Sequence, residues 1–186
     1  IVGQMMEKVV LPPFKPRRTE EEVRQECPWG TTGKLPNRKR NIITSLALEA
    51  EVMENINLKL QAKYREIEKN EVRFEAHHCE DADYVLVAFG SIARICEKAM
   101  EMAREEGYKV GVLRPITLFP FPTNPIKELS QKVKGFLNVE MSAGQMVEDV
   151  RLTVNGAVPV EFYGRMGGIV PSAEEILAAL KEKLIK

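Results

Sequence analysis

From Asp81 onward, short apolar runs alternate with helical patterns, and this alternation restricts the possible folds more than any single motif does. Tyr84-Val85-Leu86-Val87-Ala88 reads as a strand buried on both faces, followed after Phe89-Gly90-Ser91 by a helix placing Ile92, Ile95, Cys96, Ala99 and Ala103 on one side until Gly107 stops it. The pattern then repeats. Val110 to Leu113 is a second buried strand, and Asn124 caps a helix with Pro125 at its first position and Ile126, Leu129 and Val133 inward. Phe136 to Val139 is a third strand, a helix runs from about Gln145 to Val154, and Val158 to Phe162 is a further strand. Ser172 and Glu175 form a capping box for a last helix turning Ala173, Ile176, Leu177, Leu180 and Leu184 inward. Strands and helices in this order give a three-layer α/β sandwich with right-handed crossovers.

The chain before Asp81 has a different texture. Residues 1–45 are broken by Pro12, Pro13, Pro16, Pro28, Pro36, Gly30 and Gly33, so they read as an extended interdomain arm, the end of a preceding domain. This arm holds the only tryptophan, Trp29, whose large apolar surface calls for a neighbouring subunit or domain to cover it. Residues 46–75 hold a long amphipathic helix from about Leu46 to Lys69, with one stripe of Leu48, Val52, Ile56, Leu60, Tyr64 and Ile67, and a short strand at Val72 to Phe74. Residues 76–186 are the core domain. Charge follows the division: through Arg40 there are 9 basic and 5 acidic residues, or +4, and the remaining 18 basic and 22 acidic give −4.

The overall balance excludes several functions. Zero net charge removes the basic excess of a nucleic-acid binder, and no apolar run approaches the ~18 residues of a membrane span. Three thiols, Cys27, Cys79 and Cys96, form no Cys-x-x-Cys pair and fall short of the roughly four thiolates an iron–sulfur cubane needs. Their odd number, with no signal-peptide pattern, reads as a reducing, cytoplasmic setting. The first residue is Ile1, which reads as a cut from a longer polypeptide. Charged residues at 29% are only slightly above the usual ~25%, a faint hint of heat adaptation.

Ligands of open α/β sheets bind beyond the carboxyl ends of the strands, so four loops are of interest. Gly90-Ser91 either presents backbone donors to an anion or makes a turn with Ser91 as an ordinary N-cap. Gly164-Arg165-Met166-Gly167-Gly168 resembles a phosphate cradle but lacks the Lys and hydroxyl of a Walker loop and the Gly-x-Gly-x-x-Gly fingerprint. Cofactor-binding candidates are therefore limited to Gly90, Ser91, Gly167 and Gly168. Gly30-Thr31-Thr32-Gly33-Lys34 has the wrong spacing for a P-loop. His77-His78-Cys79-Glu80 is a poor metal site, because neighbours in an extended segment point to opposite faces, and no Gly-x-Ser-x-Gly elbow exists for a hydrolase. Glu140 ends a strand before Met141-Ser142-Ala143-Gly144-Gln145, where its carboxylate is either a general base or an acceptor for loop amides. Arg114-Pro115 leads through Ile116-Thr117-Leu118 to Phe119-Pro120-Phe121-Pro122, a stiff apolar tongue suited to docking.

Asp81-Ala82-Asp83-Tyr84 through Gly90-Ser91, Arg114 through Pro122, Glu140 with Gly144-Gln145, and Gly164 to Gly168 together resemble the alpha subunit of 2-oxoacid:ferredoxin oxidoreductases, of the 2-oxoisovalerate and 2-oxoglutarate types. Gly3-Gln4-Met5-Met6-Glu7 looks like the end of that subunit's first domain, and Trp29, Thr32-Gly33 and Arg38 to Asn41 like its interdomain arm. The resemblance implies a transketolase C-terminal-domain-like sandwich with a mostly parallel, mixed five-stranded sheet. It also implies oxidative decarboxylation of a 2-oxoacid to acyl-CoA, with electrons passing to ferredoxin. The thiamine diphosphate, magnesium, iron–sulfur clusters and coenzyme A of that reaction belong to the assembled complex. The family's Gly-Asp-Gly magnesium motif is absent here, so no catalytic or metal residue carries over and the fragment alone is expected to be inactive.

The implied partners are a thiamine-diphosphate-binding beta subunit, a gamma subunit and a ferredoxin-like subunit, met through Trp29, Arg114, Phe119, Phe121, Glu140, Gly144 and Gln145. Three other readings compete. One is the C-terminal domain of a 2-oxoacid dehydrogenase beta chain or of transketolase, whose corresponding loop ends in Pro and an acidic residue where this chain has Phe-Pro-Phe-Pro. Another is a stand-alone ligand-binding or regulatory module. The third is a purely structural interaction domain.

Overall fold

The computed structural model describes residues 10–31, 33 and 39–185. The expectations for Gly3 to Glu7, Thr32, Lys34 and Arg38 lie outside the described residues. Two compact units are present, one built on residues 6–58 and one on residues 59–186.

In the first unit the arm contains a helix that its prolines had argued against. Helix α1, Glu20–Glu26, lies in a proline-free stretch, and Thr19 and Glu22 close a capping box: the Glu22 amide donates to Thr19 Oγ1 at 3.2 Å and the Thr19 amide to Glu22 Oε2 at 2.7 Å. None of its residues is buried, and Trp29 is 60% exposed. Helix α2, Ala50–Asn70, whose residues from Lys59 onward belong to the second unit, starts four residues later than its periodicity predicts. The Leu46 amide donates to Thr44 Oγ1 at 3.1 Å, a local turn that competes with helix. Val52, Ile56, Leu60, Tyr64 and Ile67 of the predicted stripe lie on the helix and Leu48 precedes it, and no residue of α2 is buried.

The second unit is a five-stranded sheet with helices on both faces. Strands β1 (Phe74–His77), β2 (Tyr84–Val87), β3 (Val110–Pro115), β4 (Gly135–Glu140) and β5 (Val160–Gly164) stand in the order β1-β3-β2-β4-β5. All pairs are parallel except β1 with β3. Helix α3 (Ser91–Glu105) and helix α6 (Ala173–Leu180), continued by a π-helical turn Lys181–Ile185, cover one face. There Ala93, Ala99 and Ala103 let α3 approach Leu86, Val110, Val112, Leu137 and Val139 closely. Helices α4 (Thr123–Leu129) and α5 (Met146–Val154) cover the other, packing Ile126, Met146, Val150 and Val154 against Val85, Val87, Leu113 and Phe136. Burying a Leu, Ile or Phe side chain contributes about 1.5–3 kcal/mol, so these two layers supply most of the stabilisation.

Several boundaries shift for identifiable reasons. β1 lies at 74–77 because the Ile116 and Thr117 amides both donate to Arg73 O and the Arg73 amide to Thr117 Oγ1, closing the ladder at Arg73. Its Glu and His gave no apolar run to read. Asn124 is not a cap: α4 begins at Thr123, leaving Pro125 in its first turn, where a missing amide costs nothing. Ser91 is not a cap either. Gly90 holds that position at φ 61°, ψ −140°, a conformation that L side chains rarely adopt. The capping box of Ser172 with Glu175 forms as read, and Leu184, in the π-helical turn, packs on the α3/α6 layer. No helix among the described residues is long and apolar enough to cross a membrane.

Candidate functional site

The chain leaves β2 toward β3 on one side of the sheet and leaves β4 toward β5 on the other, so the winding reverses between β2 and β4. Parallel sheets open a crevice at the carboxyl ends of such a pair. A cavity of about 280 Å³ lies there, walled by Phe89, Gly90 and Ser91 from the β2 side and by Met141, Ser142 and Gln145 from the β4 side. Gly167 and Gly168, at φ 68° and 86°, are not among its lining residues. Of the four cofactor-binding candidates the fold therefore brings only Gly90 and Ser91 to the crevice.

Glu140 also reaches this crevice, but its carboxylate is turned inward and only 2% of the residue is exposed. It accepts from the amides of Gln145 (3.2 and 3.1 Å), Met146 (3.3 Å) and Val147 (3.0 Å), from Asn138 Nδ2 (2.7 Å) and from Ser142 Oγ (3.0 Å). Ser142 Oγ in turn accepts from the Gly144 amide at 3.1 Å. A strand-borne carboxylate thus caps α5, whose own capping residue, Gln145, makes no side-chain cap bond. Its acceptor capacity is taken up by the loop, which leaves the general-base reading no free oxygen. Asn138 was missed at the sequence level, although an amide inside the otherwise apolar Phe136-Leu137-Asn138-Val139 was a visible signal.

The loop 141–145 is pressed against β5. A Cβ on Gly164 would come within 2.4 Å of Ser142 O and of the Phe162 ring, so only glycine fits where these segments meet. Beyond it Arg165 donates to Glu175 Oε1 at 3.0 Å, and Met166 and Ile169 are exposed.

On the β3 side, Arg114 Nη1 donates to Glu75 Oε2 at 2.7 Å across the β1–β3 register. The tongue divides its two aromatics. Phe119 is 60% exposed, its ring meeting Tyr64 edge-on with centroids 5.8 Å apart. Phe121 instead packs into the α4/α5 layer, so the expectation of two outward aromatics holds for Phe119 alone. Thr117 braces the tongue by donating from Oγ1 to Pro120 O at 2.8 Å, and the Phe119–Pro120 peptide is cis. Ile116, Leu118, Phe119, Met166 and Ile169 make this rim apolar. The loop segments Phe89–Gly90, Ile116–Pro122, Met141–Gln145 and Arg165–Pro171 contain one charged residue, Arg165.

The His77 to Glu80 segment is no metal centre. His77 lies in β1, His78 turns to φ 53°, and Cys79 is buried with its thiol donating to Val112 O at 3.4 Å. Burial, and then the Glu80 charge, push the Cys79 thiol up to about 11. Among the described residues no group of three or more His, Cys, Asp or Glu could hold a metal ion. Cys79 and Cys96 are buried on opposite faces of the sheet.

Residues 82–176, just over half of the chain, match the family described as pyruvate:ferredoxin oxidoreductase core domain II. The ketoisovalerate oxidoreductase subunit VorB of Methanothermobacter marburgensis is 42% identical over 182 residues, covering 98% of this chain and 50% of the relative. The chain thus spans about half the length of the curated relative it matches along nearly all of its own length. The solved 2-oxoglutarate:ferredoxin oxidoreductase from Magnetococcus marinus, with 2-oxoglutarate, coenzyme A and succinyl-CoA bound, superposes with a TM-score of 0.67 at 24% identity, over 79% of this chain and 27% of that one. A split-gene transketolase, described as an inactive beta4 tetramer, gives 0.53 at 19% identity over 61% of this chain and 41% of that one. These two structures share the fold, including the mostly parallel five-stranded sheet. With a family match across the sheet and its helices, the chain belongs to the pyruvate:ferredoxin oxidoreductase core domain II family of the 2-oxoacid:ferredoxin oxidoreductases.

Proposed function

We propose that this chain is the C-terminal portion of the alpha subunit of a 2-oxoacid:ferredoxin oxidoreductase acting on branched-chain substrates such as 2-oxoisovalerate, and that it is a scaffold on which the other subunits dock. The near-full-length likeness of the chain to a ketoisovalerate oxidoreductase subunit supports the substrate class. The single observation that carries the docking role is the rim: four loops with one charge among them, in a chain that is 29% charged, carrying exposed Ile116, Leu118, Phe119, Met166 and Ile169. Protein interfaces are depleted of charge at their centres and enriched in aromatic residues, Met and Arg.

Phe119 is the anchor of this face, to which Arg114, Gly144 and Gln145 also contribute; Glu140 acts from beneath by holding the β4–α5 loop in shape. Trp29, exposed in the first unit, offers a second contact. The occupant is the thiamine-diphosphate-binding beta subunit, and the gamma and ferredoxin-like subunits complete the assembly in the cytoplasm. Thiamine diphosphate, magnesium, iron–sulfur clusters and coenzyme A are held by other parts of that assembly.

The test is affinity capture of the chain from lysate of its source, with partners identified by mass spectrometry and the eluate assayed for coenzyme A-dependent viologen reduction by a panel of 2-oxoacids. Recovery of a thiamine-binding subunit with iron–sulfur proteins, and fastest reduction with 2-oxoisovalerate, is the expected result. Fastest turnover of 2-oxoglutarate or pyruvate overturns the substrate class, and a Phe119→Ala, Arg114→Glu chain that captures the same partners overturns the docking role.

A further inference from the structure

We infer that Asn155 is a self-modification site: in the turn after α5 its carboxamide is attacked by the Gly156 amide, which converts the residue to aspartate and isoaspartate. Asn155-Gly156 is the one Asn-Gly step in the sequence, and a glycine leaves the attacking nitrogen unshielded by any side chain. Both residues are exposed, and a Cβ on Gly156 would meet nothing within 4 Å. Among the described residues neither the Asn155 carboxamide nor the Gly156 amide has a hydrogen-bond partner.

The backbone is equally open to the reaction. Asn155 is left-handed at φ 48°, ψ 43°, and Gly156 follows at φ 78°. The turn is held by the Asn155 amide on Arg151 O at 2.9 Å and the Ala157 amide on Val154 O at 3.1 Å. Rotation about the Asn155 Cα–C bond brings the Gly156 nitrogen to Cγ, and it costs the Ala157 bond while leaving the Asn155 bond to α5 in place. Such an opening belongs to the low end of the range of local stabilities.

The Gly156 nitrogen bonds to Asn155 Cγ, and its proton departs with the side-chain amino group as ammonia, closing a succinimide ring. Water then opens the ring at either carbonyl, giving aspartate, or isoaspartate with the main chain routed through Cγ. Arg151, whose guanidinium reaches Val160 O at 3.5 Å, and Lys127, which lines the same cleft as Asn155, are cations beside the turn that favour loss of the Gly156 proton. Either product puts a carboxylate at the C-terminal end of α5, where the helix dipole disfavours it, and isoaspartate also lengthens the turn by one main-chain carbon.

The experiment is incubation of the 186-residue chain at pH 6 and pH 8, native and in urea. Peptide mass spectrometry and methyl transfer from S-adenosylmethionine by an isoaspartyl methyltransferase read the products. A gain of about 1 Da confined to the peptide holding Asn155 is expected, with isoaspartate exceeding aspartate. Conversion should be roughly tenfold or more faster at pH 8, since the reacting nitrogen must lose its proton. The native rate should lie within about tenfold of the rate in urea, and Asn155→Gln should lose both signals. A native chain slower than that, or conversion at Asn41 or Asn70 equal to that at Asn155, would overturn the site; both are exposed but precede Ile42 and Glu71.

Discussion

The two ends of the sheet differ in how they meet their surroundings. At the amino ends of the parallel strands the connections carry Glu80, Asp81, Asp83, Glu106, Lys109, Lys132 and Lys134, and ion pairs seal them: Arg104 with Asp81 at 2.6 Å, Lys134 with Asp83 at 3.3 Å, and Lys181 with Glu106. That end is finished against water. At the carboxyl ends the loops keep one charge, Arg165, the carboxylate that ends β4, Glu140, is buried in a cap, and apolar side chains stand outside. The same chain thus builds one end that is charged and ion-paired and another that is apolar and nearly free of charge, and the proposed docking face is the second.

The comparison breaks first at Glu140. Glu140→Ala strands three amides and the Asn138 and Ser142 donors in a buried site and is expected to cost about 3–5 kcal/mol in urea unfolding. Glu140→Gln keeps the shape and costs less. A loss for the alanine variant below about 1 kcal/mol would mean that the loop is held by packing alone. At the opposite end, Cys79 tests how firmly the back is closed. Its raised thiol leaves it roughly a hundredfold less thiolate at pH 8 than an ordinary cysteine, so labelling by a disulfide reagent in the native chain should lag an unfolded control by at least that factor. Rapid labelling would show that this end opens.

Phe119→Ala sharpens the contrast, since a central aromatic anchor is worth about 2 kcal/mol, or roughly thirtyfold in partner affinity. The chain's own unfolding should move by less than about 1 kcal/mol, while Lys132→Ala at the back should change neither quantity. The smallest effect is with acid. The hydrogen bond and charge of Arg104 hold the Asp81 carboxyl below its usual range. A lowered carboxyl contributes stability that is present above the ordinary carboxylate range and is lost as the pH falls through it, so Asp81→Asn should flatten the urea midpoint between about pH 5 and pH 2 relative to the parent chain.

Sequence patterns located the parts whose signals are local. The buried runs at Tyr84, Val110 and Phe136 are continuous in sequence, and the Ser172–Glu175 box lies within four residues, so each could be read without its partners. β1 could not, because a half-exposed edge strand with Glu and His inside it is identified by what it pairs with, and Arg73 meets Thr117 from 44 residues away. The cap on α5 was half legible. Glu140 was placed at the end of its strand with loop amides as a possible donor set, but the choice between base and cap depended on the loop's turning back over the carboxylate. The inward turn of Phe121 had no local signal at all, since two aromatics alternating with prolines look alike until one of them finds the core.

The cap on α5 also fixes how much length the β4–α5 connection can have. Because the carboxylate that receives the amides of Gln145, Met146 and Val147 is anchored in the strand, residues 141–144 are a span of set reach. One residue more would draw the first turn of α5 off its acceptor, and one fewer would pull Gly144 through Phe162. Insertions and deletions among homologous chains should therefore collect in the Asn155–Pro159 turn at the other end of α5, where Gly156 has open space beside it.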